Sequence, residues 1–321
     1  MQVVQTKKNQ KVVVLGTGGT IAGTGRSAGD HTAYTAGQVS VQHLLEALPG
    51  LEDSLQGHAL FCEQVAQLDS KDMDHVTWQS LAQRALHWLN QADVVGMVIT
   101  HGTDTLEETA WFLQKVLDTH KPVVLTCAMR PATALAPDGP QNMLDALAVA
   151  CHPQARGVLV VCAGSIHGAG EVQKIHPYRL DAFASETGPR GWVEQGQVRW
   201  TGLCQAPELH ARAPQVLTQA VTHWPWVEVL HSHAGADERR VRALVAAGVN
   251  GLVVAGTGNG TVHQSLLGAL VQAQLQGVAV RVTSRCAQGQ IVGQPGVLPL
   301  APLGLNAYKA RVSLMLDLMV I

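Results

Sequence analysis

Two short stretches of the 321-residue chain place threonine hydroxyls among glycines at the ends of apolar runs. VVVLGTGGTIAGTG (12–25) carries Thr20, and VITHGTDTLEETAWFL (98–113) carries Thr103 beside Asp104, just after Gly102. A hydroxyl held beyond the carboxyl end of a parallel strand lies where open α/β sheets bind ligands, and glycine neighbours let a substrate reach the hydroxyl and the backbone N–H groups. Thr20 is therefore a candidate nucleophile, with a loop threonine or a helix cap as the plain alternative. The glycines fit no nucleotide fingerprint. G-x-G-x-x-G counted from Gly16 would need glycine at Ile21, and GxxxxGK counted from Gly18 meets Thr24 where lysine should stand.

A threonine hydroxyl is a poor nucleophile unless a base or a proton-removing network helps it. A buried lysine oriented by a carboxylate is one such base. Lys174, within SIHGAGEVQKIHP (165–177), is the suggestive lysine, although by itself it reads as an ordinary surface residue. Thr105 and Glu108 stand at capping-box spacing, which predicts that they close the start of a helix.

Short Val-rich runs must position these residues: 11–15, 94–100, 121–128, 156–163, 227–231, 250–256 and 278–284. They alternate with helical patterns such as 79–90, 105–117, 141–151, 237–248 and 262–276, which predicts α/β architecture with largely parallel sheets. Gly, Pro, Arg, Gln and Trp mix without period over about 185–225, as a β-hairpin followed by a linker would. The expected organisation is a larger N-terminal catalytic α/β domain (1–204), a linker (205–224) and a smaller C-terminal α/β domain (225–321).

Composition excludes several function classes. The 22 Lys and Arg against 24 Asp and Glu are scattered, so there is no basic stripe for nucleic acid or an anionic membrane. With 46% hydrophobic and 14% charged residues the chain can bury a large core. The six cysteines show neither CxxC pairs nor zinc-type spacing, and Cys127, Cys151 and Cys162 lie in or beside apolar runs as small buried hydrophobes. Charges in MQVVQTKKNQK stand where a signal peptide needs its apolar stretch, and no apolar run reaches the ~18 residues of a membrane span. The expectation is a cytoplasmic protein.

Taken together, TGGTIAG (17–23) and HGTDT (101–105) resemble the paired signature motifs of the bacterial-type L-asparaginase/glutaminase family. The similarity continues in order through AYTAG (33–37), DSKDM (69–73), KPVVLTCAMRP (121–131), APDGPQN (136–142), RGVLVV (156–161), AGTGNG (255–260) and NAYKARV (306–312). The resemblance implies an asparaginase-like two-domain fold and hydrolysis of the asparagine side-chain amide through a threonine acyl-enzyme. Thr20 would be the nucleophile, with Tyr34 beside it on a lid formed by 23–37. Thr103, Lys174 and Asp104 would form a second triad that moves protons. Ser70 and Asp104 would hold the α-carboxylate and α-ammonium of the substrate, and the Ala128 region would face the amide. The N–H of Gly19 or Thr103 would serve the oxyanion. The resemblance further implies a homotetramer, a dimer of intimate dimers in which the partner's Asn259 completes each site. It implies no metal or organic cofactor, and a structural role for His101.

Two positions depart from the family pattern. Lys71 stands where members usually carry an uncharged residue near the amino acid head of the substrate. A cation there would oppose the α-ammonium, unless it swings outward, pairs with Asp72 or binds the α-carboxylate instead. The segment 286–304 is short and lacks the acidic residue that secreted members present to that ammonium. Both departures predict weak asparagine affinity or preference for an amide without a free α-amine. A catalytically silent amino-acid-binding regulator of the same fold is the alternative that Lys71 supports. The asparaginase-like subunit of a tRNA-dependent amidotransferase, which would need an added N-terminal domain and a basic RNA-facing surface, is the less expected reading.

Overall fold

The computed structural model describes residues 10–29, 32–117, 119–202, 213–292 and 305–319. The chain divides into two compact units, the first running to Ala211 and the second beginning at Arg212. Of the segment expected as a linker (205–224), residues 205–212 lie outside the described residues. The remainder is not extended: Ala213–Thr218 is an α-helix and Val221–His223 a 3₁₀ turn.

The first unit is built on an eight-stranded sheet. Its spatial order is Gln197–Trp200, Gly191–Glu194, Ser165–Gly168, Val158–Cys162, Val123–Thr126, Val94–Thr100, Lys11–Gly18 and Ala59–Leu68. The last five of these run parallel, and the first three form an antiparallel extension. Central strands read as unbroken apolar runs because both faces are covered. Val12 and Val14 pack with Val98, Val124, Met143 and Leu147, the last two from the helix Gly139–Ala150. Val13 and Leu15, one residue out of phase, are equally buried, as period-two alternation requires of a doubly covered strand. The expected hairpin is Gly191–Glu194 with Gln197–Trp200, turned through Gln195 (φ 51°) and Gly196 (φ 72°), the two positive angles of a type I′ turn.

In the second unit the strands Val227–His231, Gly251–Gly256 and Ala279–Ser284 form a parallel sheet in that order. Leu252 and Val254 on one face pack with Val241, Leu266 and Leu270 of the helices Arg239–Ala246 and Gln264–Leu275. The helix Ala307–Leu318 packs against all three strands. No helix among the described residues is long and apolar enough to cross a membrane.

What the sheet positions for chemistry is a pair of strand ends. Lys11–Gly18 and Val94–Thr100 lie side by side in parallel, and the Thr17 hydroxyl donates to Thr100 O at 2.8 Å. Beyond them Gly19 and Gly102 meet backbone to backbone: a Cβ on Gly19 would lie 2.4 Å from the Gly102 N and Cα, and one on Gly102 would lie 2.4 Å from Ser70 Oγ. Gly19 also holds φ 82°, ψ −173°, a region that only glycine occupies without strain. The opening glycines therefore provide clearance between two loops. Gly19→Ala combines backbone strain with overpacking and is expected to lower the unfolding free energy by about 2–5 kcal/mol, measured by chemical denaturation.

Candidate active site

Thr20 opens a one-turn 3₁₀ helix, Thr20–Ala22, and is 6% exposed. Its Oγ1 shares a 2.6 Å hydrogen bond with the Tyr34 hydroxyl. Tyr34 is carried by a ribbon in which Thr24–Gly25 pairs with Tyr34–Thr35. Loop 131–135 holds the outgoing arm: Thr133 Oγ1 accepts from Gly25 N–H at 2.8 Å, Ala132 N–H donates to Gly23 O, and Leu135 N–H donates to Ala28 O. Burial raises the Tyr34 phenol above its ordinary range, the nearby Asp69 and Asp104 carboxylates add to the rise, and the bond to Thr20 opposes it. Tyr34 is thus a neutral hydroxyl beside Thr20 at neutral pH, able to donate or accept but not present as phenolate.

The second loop brings Thr103 and Asp104 together with Lys174. Lys174 Nζ donates to Thr103 Oγ1 at 2.9 Å and to Asp104 Oδ1 at 2.7 Å, while the Thr103 hydroxyl lies 3.5 Å from the same carboxylate oxygen. Thr103 is buried and the Asp104 side chain is half exposed, so the cluster reaches from the sheet edge to solvent. Ser70, only 2% exposed, accepts from Asp104 N–H at 3.1 Å through its hydroxyl.

The capping-box expectation is overturned. Thr105 is the N-cap of helix Leu106–Val116 but makes no side-chain cap, because its hydroxyl donates instead to Ser70 O at 2.7 Å. The acid of this first turn that reaches into the site is Glu107, whose Oε2 accepts the Lys174 backbone N–H at 2.7 Å. The Thr105 hydroxyl that would have closed the helix instead ties it to the Ser70 segment.

Gly19 N–H donates to Leu68 O at 2.8 Å, so of the two expected oxyanion donors the Thr103 N–H is the one left for a ligand. Ala128 is fully buried among Ile21, Met143 and Ala146, so its side chain belongs to the core. Asn259 belongs to the second unit, where its side-chain amide donates to Val292 O and accepts from Val292 N–H, both at 2.7 Å. Residues 293–304 of the second departing segment lie outside the described residues. Lys71 points outward, its side chain 59% exposed, and its ammonium pairs with Asp72 and lies 3.7 Å from Asp69. Of the orientations open to Lys71, the structure takes the one paired with Asp72.

His101 is fully buried. Its Nδ1 donates to Gly102 O at 2.7 Å, which fixes the neutral tautomer, and Nε2 has no hydrogen-bond partner. Loss of hydration drives its pKa down to about 4, and the bond to Gly102 only partly offsets this.

Residues 11–204 match the family profile described as "Asparaginase, N-terminal", and residues 226–319 match "Glutaminase/Asparaginase C-terminal domain". The chain is 36% identical to a glutaminase-asparaginase of Pseudomonas fluorescens biotype A, over 98% of this chain and 88% of that one. It is also 36% identical to L-asparaginase 2 of Escherichia coli strain K12, over 96% and 88%. The crystal structure of a probable cytoplasmic L-asparaginase from Campylobacter jejuni superposes with a TM-score of 0.89, at 36% identity, over 97% of this chain and 96% of that one.

The buried imidazole makes stability depend on pH. An unfolded histidine takes up its proton near pH 6.5, whereas folded His101 resists until about pH 4. Its contribution is therefore present above pH 6.5 and lost as pH falls through 4, a decline of about 3 kcal/mol. Denaturant titrations across this range should show the decline, and His101→Gln should flatten it.

Proposed function

The chain belongs to the asparaginase family, and from that membership we propose that it hydrolyses the side-chain amide of L-asparagine to L-aspartate and ammonia through an acyl-enzyme on Thr20. The observation that carries this reading is the pairing of two loops across Gly19 and Gly102. It sets a Thr20–Tyr34 hydroxyl pair against a Thr103–Lys174–Asp104 cluster.

In the first half-reaction Thr20 Oγ attacks the amide carbon while its proton passes into the hydroxyl network through Tyr34. The carbonyl oxygen gains charge and is held by the Thr103 N–H, a fixed donor that needs no reorganisation. Breaking the C–N bond with proton delivery to nitrogen releases ammonia and leaves an ester on Thr20. In the second, water adds to that ester, with Thr103 and Lys174 handling its proton, and aspartate leaves. Asp104 offers the α-ammonium a carboxylate whose Oδ1 Lys174 already orients. The buried Ser70, bonded to the Asp104 N–H, supports the α-carboxylate end.

The paired charge of Lys71 supports ordinary asparagine recognition over the regulator reading, because the feature that favoured a silent pocket is turned toward two carboxylates. We read the assembly as a homotetramer of intimate dimers in which the partner's Asn259 completes each site; the support is family membership. Cytoplasmic location is likewise our reading, supported by similarity to the Campylobacter protein, which is described as probable cytoplasmic.

Initial rates of ammonia release from L-asparagine, L-glutamine and succinamate test the reading, and asparagine is expected to turn over faster than succinamate. Thr20→Ala should lower kcat by at least about a thousandfold with an unchanged circular dichroism spectrum; retention of a tenth of the activity would remove Thr20 as nucleophile. Lys71→Gln should change KM for asparagine by less than about threefold at physiological salt, because its charge is already paired and screened. A tenfold fall in KM would instead place the ammonium in the pocket.

A further inference from the structure

Lys174 reaches the site from far away in the chain, on the three-residue strand Val172–Lys174, which pairs antiparallel with Phe183–Ser185. So short a ribbon has few ladder bonds of its own to fix the strand that carries a catalytic amine. On the neighbouring helix Leu106–Val116 stands Glu107, a carboxylate only 8% exposed, whose Oε2 accepts the Lys174 N–H at 2.7 Å. Carboxylates are among the residues least often buried, and buried polar groups are held by their hydrogen bonds. The same helix begins directly after Thr103 and Asp104, the two groups that the Lys174 ammonium must meet.

From this geometry we propose that Glu107 is a positioning residue for the hydrolytic reaction. By gripping the backbone N–H of Lys174 it ties the lysine strand to the helix that directly follows Thr103 and Asp104, and so fixes the reach of the ammonium to both. The inference rests on the asparaginase reading given above for what Lys174 does, but the grip itself is a matter of geometry. Glu107 touches no substrate in this scheme. It transmits nothing chemically, and its effect runs wholly through the place where Lys174 stands. One acceptor oxygen is what the role requires, so glutamine, which keeps a carbonyl at the same reach, should serve nearly as well as glutamate, whereas alanine or the shorter aspartate should not.

A double-mutant cycle on the full-length enzyme separates this role from general support of the fold. Glu107→Ala is expected to lower kcat for asparagine by about ten- to a hundredfold with KM changed less than about threefold, and Glu107→Gln to stay within about threefold of the parent. In a Lys174→Met background the same Glu107→Ala change should cost less than about twofold, since no amine remains to be placed. A loss of equal size in both backgrounds, or Glu107→Gln as damaging as Glu107→Ala, would overturn the proposal. Should Glu107→Ala not fold, Glu107→Asp is put through the same cycle and judged by the same criteria.

Labelling of Lys174 by acetic anhydride, followed by mass spectrometry, gives a readout independent of turnover. Freed from Thr103 and Asp104, the amine should acylate at least about threefold faster in Glu107→Ala than in the parent or in Glu107→Gln. An unchanged labelling rate would overturn the proposal. A parent enzyme that released no ammonia yet showed the labelling difference would leave the grip standing and fail only the activity.

Discussion

The site depends on one steric fact: two backbones approach each other at Gly19 and Gly102 with no room for a methyl group on either. Strand ends in a parallel sheet stand about 4.8 Å apart, and loops that carry side chains splay from there. Glycine at both crossing points lets the loops converge instead. Thr20 and Thr103 each follow their glycine by one residue, so the separation of the two hydroxyl clusters is set by backbone contact and not by flexible side chains. Ser70 adds a third wall, since its hydroxyl lies 2.4 Å from where a Cβ of Gly102 would be and accepts from Asp104 N–H. Preorganisation of this kind favours hydroxyl chemistry, because the groups are already in place and little reorganisation is needed.

Much of the fold was legible because its strands carry strong signals. Central strands such as Val94–Thr100 carry no polar side chain before the terminal Thr100, as burial on both faces demands. The edge strand Ala59–Leu68 escaped that reading. Among the described residues it has one neighbour, Lys11–Gly18, its residues are exposed or half-buried, and the polar residues of ALFCEQVAQL interrupt any continuous hydrophobic run. Helix Ala307–Leu318 was seen only as part of a motif, because Lys309 and Ser313 are buried within it and blur the apolar stripe. The helix Ala213–Thr218 fell within a stretch whose mixed composition favoured a linker.

The candidate site was legible where its residues are close in sequence. Thr20, Thr103 and Asp104 announce themselves by glycine neighbours at strand ends, and Lys174 needed the resemblance because its partners lie some seventy positions away. Glu107 carried no signal. An acid in the first turn of a helix is ordinary on dipole grounds, and only the tertiary structure shows its oxygen on the Lys174 N–H. Thr105 misled for a similar reason: the local cap and the distant Ser70 carbonyl compete for one hydroxyl, and the distant partner wins.

The ribbon that carries Tyr34 joins only two residues on each side, and residues 26–29 between its arms are exposed to solvent. Segments with so few buried contacts open at a small fraction of the free energy that unfolds a core. Exposed loop tips of this kind are also the preferred sites of proteolytic nicking. A cut there would leave the eight-stranded sheet and its buried faces whole while releasing the arm that brings the Tyr34 hydroxyl to Thr20. Integrity of the fold and integrity of the Thr20–Tyr34 pair are therefore separable in this protein: a preparation can be compact and thermally stable, yet nicked at one tip and without that hydroxyl pair.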